Sequence, residues 1–379
     1  MNRDITDIKI GVLGGGQLGR MMIQSAINYN LDISIIDPDP NAPCAHMVEH
    51  FTCGSIQDFD SVYEFGKDKD LITIEIEYVS VKALKRLESE GVKVFPQPAV
   101  IELIQDKRKQ KTFYKSNRIP TADFVLTENK SEVAKHADML PAVNKLGTGG
   151  YDGRGVQMIR TSEDLDKAFD QPGLLEELVD FKTEISVIVA RNEAGETKAF
   201  PPVELSYHPE ANLVEFLFSP STLTPEEQKK AENLACDVVE KLNMVGLLAV
   251  EMFLTKEGDV VVNEVAPRTH NSGHHSIEAN VTSQFEQHLR AILNLPLGNT
   301  DIVVPAAMVN LLGEEGYTGN AKYQGMREVM TMKGVYVHLY GKKLTKPFRK
   351  MGHVTITDHD IEVLKKRAIE VKETLKVIA

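Results

Sequence analysis

Apolar runs and amphipathic stretches alternate along the first hundred residues in an order that predicts strand, turn, helix and strand. Ile8 to Leu13 is a β-branched run. Gly14-Gly15-Gly16-Gln17-Leu18-Gly19 follows it, Arg20 to Tyr29 has helical spacing, and Ile33 to Asp37 is apolar up to its final acid. Such a unit belongs to Rossmann-like domains, whose glycine turn lets the backbone approach an anion at a helix N-terminus. Gly14, Gly16 and Gly19 match G-x-G-x-x-G, the spacing of NAD sites. The same glycines also serve simply to pack strand against helix, and Asp37-Pro38-Asp39-Pro40 puts a proline-rich loop where a ribose is usually held. Leu71 to Tyr78 alternates, with Ile72, Ile74 and Ile76 toward one face and Thr73, Glu75 and Glu77 toward the other. That pattern predicts a strand carrying two carboxylates, beside a cleft or on a solvated face.

Phe95-Pro96-Gln97-Pro98 closes this first domain, and a basic helix, Gln105 to Tyr114, leads out of it. Strands are expected at Ile119–Asp123, Val143–Leu146, Leu174–Val179 and Glu184–Ala190. Between the second and third of these lies Gly147-Thr148-Gly149-Gly150-Tyr151-Asp152-Gly153-Arg154-Gly155-Val156, too rich in glycine for a regular element without large entropic cost. A mobile hairpin loop is expected there. With Lys145 just before it and Arg154 within it, the loop has the equipment to hold phosphates, and it is not a Walker A loop, since no Gly-Lys-Ser/Thr follows. After Pro201-Pro202 comes a larger β-rich domain with a helix at Pro225–Leu242, a strand at Gly246–Leu254, a helix at Ile277–Leu293, strands at Pro305–Leu312 and Val335–Tyr340, and an exposed charged helix from Ile361. The pattern divides the chain at 1–110, 111–190 and 191–379.

The densest chemistry lies in Val260 to Ala279, an apolar strand that runs into Asn263, Glu264, Arg268, His270, Asn271, His274 and His275. Lys256-Glu257-Gly258-Asp259 separates it from Gly246–Leu254 as a hairpin turn. A turn centred between Glu257 and Gly258 sets Glu251 opposite Glu264. Facing carboxylates repel unless a cation lies between them, and Mg²⁺ takes carboxylate oxygens together with substrate phosphates. A divalent-metal site is therefore expected at Glu251 and Glu264, although two solvated glutamates on an ordinary hairpin fit the register equally well. A zinc site at His270, His274 and His275 fits poorly, because Pro267 and Gly273 break the helix that such spacing requires.

Bulk properties narrow the partners. A net charge of -12 speaks against nucleic acid, which needs a basic footprint. Cys44, Cys53 and Cys236 form no CxxC pair, which fits a reducing compartment. No apolar run approaches a membrane span, so a cytoplasmic protein without membrane contact is expected. Against this acidity, the stretch Gly341 to His353, with Lys342, Lys343, Lys346, Arg349 and Lys350, stands out as suited to a phosphate monoester.

A glycine-rich phosphate loop, a lysine before it and two carboxylates on another domain's hairpin describe an ATP clamp. On these motifs the chain resembles the ATP-grasp enzymes and, within them, the family of 5-(carboxyamino)imidazole ribonucleotide synthetases. The most specific runs are Gly14 to Gly19, Gly149 to Gly155, Asn263-Glu264-Val265-Ala266-Pro267-Arg268-Thr269-His270-Asn271-Ser272-Gly273-His274, and Tyr340 to His353. The resemblance covers essentially the whole chain. It implies an α/β and α+β ATP-grasp fold, with an N-terminal Rossmann-like (preATP-grasp) domain, a small lid domain and a C-terminal mixed α/β domain.

It also implies roles. Lys107, Lys145, Gly150, Tyr151, Asp152, Gly153, Arg154, Gly155, Val156, Glu176, Glu177, Leu178, Val179, Glu184, His208, Asn263 and Glu264 would bind ATP, and Glu251 and Glu264 would hold Mg²⁺ (or Mn²⁺). Gln17, Leu18, Glu75, Lys342 and Arg349 would hold aminoimidazole ribonucleotide. Tyr151, Asp152, Arg154, Arg268, His270 and Asn271 would surround bicarbonate and the forming intermediate. Two departures stand out: Ile74-Glu75-Ile76-Glu77-Tyr78 lacks the family's aromatics, and Lys107 replaces an arginine and its bidentate fork.

The implied reaction is ATP-dependent carboxylation of the ribonucleotide's exocyclic amine by bicarbonate through carboxyphosphate, in purine biosynthesis. A glycine lid would keep water from that labile anhydride. The resemblance further suggests a homodimer. Alternatives are a biotin carboxylase-like enzyme or a formate-dependent transformylase within the superfamily, and an NAD-dependent oxidoreductase or a non-catalytic nucleotide sensor outside it.

Overall fold

The computed structural model describes residues 4–150, 155–207 and 214–379. Its first sheet is parallel and ordered β3-β2-β1-β4-β5, from Lys9–Leu13 (β1), Asp32–Asp37 (β2), His50–Cys53 (β3), Leu71–Ile74 (β4) and Lys93–Val94 (β5). Helix α1, Gln17–Asn28, leaves the glycine turn after β1. Here the expected alternation fails. β4 ends at Ile74 and its four residues are all buried, because a central parallel strand is covered on both faces. Glu75 to Tyr78 lie beyond the strand, with Ile76 exposed.

Helix α2, Lys107–Ser116, is capped by Asp106, whose carboxylate accepts from the Arg108 N–H. It leads to an antiparallel sheet ordered β6-β9-β7-β8, from Phe124–Thr127 (β6), Ala142–Leu146 (β7), Val156–Ile159 (β8) and Gly173–Glu177 (β9). The strand expected at Ile119–Asp123 is absent. Pro120 lacks an N–H for a ladder, and Thr121 instead makes one bridge to Val262 in the next sheet.

That third sheet has nine strands among the described residues: Phe181–Arg191 (β10), Thr197–Ala199 (β11), Val203–Tyr207 (β12), Val214–Ser219 (β13), Gly246–Thr255 (β14), Val260–Ala266 (β15), Ala306–Leu312 (β16), Val335–Leu339 (β17) and Lys350–Thr357 (β18). Their order is β15-β14-β10-β12-β13-β16-β18-β17, with β11 on β10. Helix α3, Pro225–Lys241, opens on Pro225 and a Thr224–Glu227 capping box, and buries Ala231, Ala235, Val238 and Val239 against the sheet.

The helix expected at Ile277–Leu293 is two helices, Ser276–Ala279 (α4) and Gln284–Ile292 (α5), because Ser283 starts the second by accepting from the Glu286 N–H. The last helix, Ile361–Thr374 (α6), is not the exposed helix its charges suggest. Leu364, Ala368 and Val371 are buried against β16 and β18. No helix among the described residues is long and apolar enough to cross a membrane.

One core joins the two ends of the chain. Leu18, Met21 and Met22 of α1 pack with Phe285, Leu289 and Ile292 of α5 and with Tyr340, which begins the basic loop.

Candidate active site

The hairpin of β14 and β15 changes register partway along. Next to the turn, Leu254 faces Val260, Phe253 faces Val261 and Met252 faces Val262; beyond the shift, Glu251 faces Glu264 and Val250 faces Val265. Asn263 is the extra residue. A bulge puts two successive side chains on one face, and Asn263 and Glu264 are partly exposed while Val262 and Val265 are buried. The two carboxylates therefore meet as the sequence predicts, but through a bulge rather than an unbroken ladder from the turn.

Three lysines meet this face. Lys107 forms an ion pair with Glu264, Lys111 one with Glu176, and Lys145 one with Glu176 while donating to Asn263 Oδ1 at 3.0 Å. Burial works against the charge of Glu176 and of Glu264, but the ammonium groups outweigh it and hold both carboxyls below the usual range. Lys111 belongs to this charged cluster, and sequence reading missed it. Its signal was the four-residue spacing from Lys107, which puts both lysines on one face of α2.

Among the described residues no lysine or arginine forms an ion pair with Glu251, and Lys350 and Lys107 act on it only from a distance. Burial, and then the charges of Glu264 and Glu184, push its carboxyl up to about 7. Glu184, on β10, is itself raised by burial, with the Tyr207 hydroxyl bonded to it in partial compensation. Two facing carboxyls, with Glu251 held up by burial and by the charge of Glu264, suit a divalent cation. Among the described residues no three acidic, histidine or cysteine side chains form a metal cage. Two carboxylates completed by phosphate oxygens and water are the usual Mg²⁺ arrangement, so the donor set fits the ion.

Beyond β15 the chain turns across the same cleft. Arg268 pairs with Glu77 at 2.9 Å, joining this loop to the first domain. His270 Nε2 lies 3.7 Å from Glu251 Oε1, and its Nδ1 is 2.9 Å from the Ser272 hydroxyl, itself 2.8 Å from that of Ser186. Burial, with Arg268 and Lys350 nearby, pushes the His270 pKa well below its ordinary value, which leaves a neutral imidazole. The Asn271 amide forms a reciprocal pair with that of Asn310 at 2.9 Å. His274 and His275 are buried, outside any helix long enough to present paired ligands.

The glycine turn is filled from within. Glu75 accepts from the Gly16 and Gly19 N–H groups at 2.5 and 2.6 Å, and Asp37 from Gly15 at 2.7 Å. A Cβ on Gly16 would lie 2.5 Å from Glu75 Oε1, and one on Gly14 2.5 Å from its Cγ. These glycines admit a carboxylate of the chain itself, so a dinucleotide pyrophosphate would collide with Glu75 and the NAD reading falls. Burial raises the Glu75 carboxyl, against the pull of the two N–H groups.

Gln17 and Leu18 begin α1 beside this carboxylate, and the basic loop closes over the same helix, with the Arg20 guanidinium 3.5 Å from where a Gly341 Cβ would stand. Lys342 donates to the Lys350 carbonyl and Arg349 to that of Leu344, both at 2.8 Å.

Tyr151, Asp152, Gly153, Arg154 and His208 lie outside the described residues. At the rim of that loop, the Tyr78 hydroxyl donates to the Gly150 carbonyl at 2.9 Å, and Gly155 leads into β8, which Val156 begins. Leu178 and Val179 follow β9 rather than belonging to it. Glu177 points away from Glu176 and, with Leu178, lines a cleft of about 870 Å³ beside Lys115, Arg118 and Asp138 on the far face of β9.

Comparison with known proteins finds relatives along almost the whole chain. Residues 8–105 match the ribonucleotide synthetase preATP-grasp domain, 112–285 the ATP-grasp domain, and 306–367 the phosphoribosylaminoimidazole carboxylase C-terminal domain. The N5-carboxyaminoimidazole ribonucleotide synthase of Bacillus subtilis is 37% identical, over 91% of this chain and 90% of its own length. The chloroplastic phosphoribosylaminoimidazole carboxylase of Vigna aconitifolia is 39% identical, and there the match covers 92% of this chain but only 64% of the longer plant protein. Among solved structures, the N5-carboxyaminoimidazole ribonucleotide synthetase of Thermotoga maritima superposes with a TM-score of 0.91 at 41% identity, covering 98% of this chain and 99% of that one. The Aspergillus clavatus N5-carboxyaminoimidazole synthase, in complex with ADP and 5-aminoimidazole ribonucleotide, gives 0.89 at 31% identity, covering 97% and 99%.

Proposed function

The chain belongs to the N5-carboxyaminoimidazole ribonucleotide synthase family of ATP-grasp ligases, and from that premise we propose that it carboxylates the exocyclic amine of 5-aminoimidazole ribonucleotide with bicarbonate and ATP. The observation that carries the site reading is the hairpin bulge, which turns Asn263 and Glu264 to one face opposite Glu251 and beside Lys107 and Lys145.

Bicarbonate is a weak electrophile, so one of its oxygens first attacks the γ-phosphorus of ATP and ADP leaves. Lys145 and Lys107 face the phosphates and offset the charge that develops on them. Mg²⁺ held by Glu251 and Glu264 would add charge neutralisation at the phosphate oxygens. Arg268 binds the bicarbonate and then the carboxyphosphate anion. The amine of the ribonucleotide attacks the carboxyl carbon, directly or as released CO₂, and phosphate leaves with the bicarbonate oxygen that made the attack. Neutral His270, oriented through Ser272, takes the proton lost by the amine. Glu75, Gln17 and Leu18 hold the imidazole ribonucleotide, with Lys342 and Arg349 on its phosphate. Tyr151, Asp152 and Arg154 complete the anion site and His208 the nucleotide site.

Oxygen-18 bicarbonate tests this sequence of bonds. One labelled oxygen per turnover is expected in the inorganic phosphate; unlabelled phosphate would exclude attack by bicarbonate on ATP.

A further inference from the structure

Helix α2 sends two lysines inward one turn apart, and only Lys107 is accounted for by the chemistry above. Lys111 is 3% exposed, a rare state for a lysine and one that requires a fixed counter-charge. Its partner is Glu176, also 3% exposed, on the strand that leads into the segment expected to line the adenine. The two oxygens of Glu176 are divided between two ammonium groups, Oε1 to Lys111 and Oε2 to Lys145. One carboxylate thus carries one more cation than it needs.

The two lysines differ in what else holds them. Lys111 donates to the Thr121 hydroxyl, which donates in turn to the Val262 carbonyl at 2.7 Å, so it is tied to the third sheet immediately before the bulge. Lys145 has a side chain 11% exposed and a neutral second partner, Asn263, beside the carboxylate proposed to hold the metal. Lys145 is the one that can leave.

We propose that Lys111 is a positioning residue for ATP: it is the permanent counter-ion of Glu176, and its presence frees Lys145 to move from that carboxylate to the nucleotide phosphates. This rests on the assignment of Lys145 to the phosphates. Without Lys111, Lys145 would be the only cation among the described residues paired with that buried carboxylate, and moving it to ATP would strand that charge. Crowding points the same way. Burial, then the charges of Lys145 and Lys107, lower Lys111 to about 8 against the pull of Glu176, so transferring Lys145 to an anion relieves repulsion within the cluster.

The test is equilibrium binding of MgADP together with steady-state kinetics on the full chain. Lys111→Met is expected to weaken MgADP binding and raise KM for ATP by roughly tenfold or more, with kcat and the KM values for bicarbonate and ribonucleotide changed by less than about threefold. Lys111→Gln keeps a donor toward Glu176 and so a satisfied core. It is expected to weaken MgADP binding in the same direction, while Lys111→Arg, which keeps the charge, stays within about threefold of the parent. In an E176Q background, where no carboxylate needs a counter-ion, adding K111M is expected to cost less than about threefold.

Parental MgADP affinity in both neutral variants overturns the proposal, as does a tenfold loss on adding K111M to E176Q. A loss expressed in kcat alone also overturns it. If the parent protein itself fails to bind MgADP, the nucleotide assignment falls, and the role of Lys111 with it.

Discussion

Arg268 bridges two parts of the chain almost two hundred residues apart, through its ion pair with Glu77. Its replacement by alanine removes the positive charge proposed to hold the bicarbonate and carboxyphosphate anion, so ADP formation should fall by about 10² to 10³-fold. The melting temperature should drop far less than a loss of fold requires, which calorimetry on the same sample checks. Glu251 makes a different trade. Its carboxyl rises from 4.5 to about 7 in the folded, metal-free protein, so between these values the folded state holds a proton that the unfolded state has lost. Its contribution to stability is therefore full below the lower value and is lost as pH rises through the upper one. Glu251→Gln removes the buried charge. It should stabilise the metal-free protein by on the order of 2 kcal/mol near pH 8 and give no gain near pH 4, as denaturant titrations at the two pH values will show, while abolishing turnover.

At the scale of elements, the glycine turn shows how a nucleotide-like motif is put to another use. Adding a methyl group at Gly16 brings a carbon to 2.5 Å from Glu75 Oε1, so Gly16→Ala must displace that carboxylate from the start of α1. KM for the ribonucleotide should rise about tenfold with KM for ATP unchanged, at a stability cost of roughly 1–3 kcal/mol. Unchanged ribonucleotide kinetics would detach Glu75 from that substrate.

The sequence made some of this legible. The G-x-G-x-x-G spacing and the Lys256–Asp259 turn announced a strand-helix unit and a hairpin, because both are local signals. The bulge was not legible: whether Asn263 is skipped depends on which side chains the third sheet buries, and counting from a turn at Glu257–Gly258 reached the right glutamate pair by a register that the residues near the turn do not share. The pattern of Leu71 to Tyr78 misled for a similar reason. Cover on both faces of β4 comes from elements remote in sequence, including His288 of α5, which meets Thr73 at 3.0 Å. Glu176 offered a carboxylate in an apolar strand, but nothing local said that two lysines would share it.

For the molecule as a whole, nucleotide binding is proposed to draw Lys107 and Lys145 off the carboxylates that hold them and onto the phosphates. MgADP at about a hundred times its dissociation constant should stabilise the protein by roughly 3 kcal/mol, visible as a rise in melting temperature. The same nucleotide in excess EDTA should give much less, and a protein carrying E251Q and E264Q should show no metal-dependent part. A homodimer is proposed for the assembly, and sedimentation at micromolar concentration would reveal it.

The most direct test of the central claim is ADP release with Mg-ATP and bicarbonate, measured with and without 5-aminoimidazole ribonucleotide, while carbamate formation is followed in parallel. ADP release strongly stimulated by the ribonucleotide, with one carbamate per ADP, is the predicted result. ADP release that ignores the ribonucleotide, or that proceeds without carbamate, would contradict it and leave an ATP clamp acting on a different acceptor.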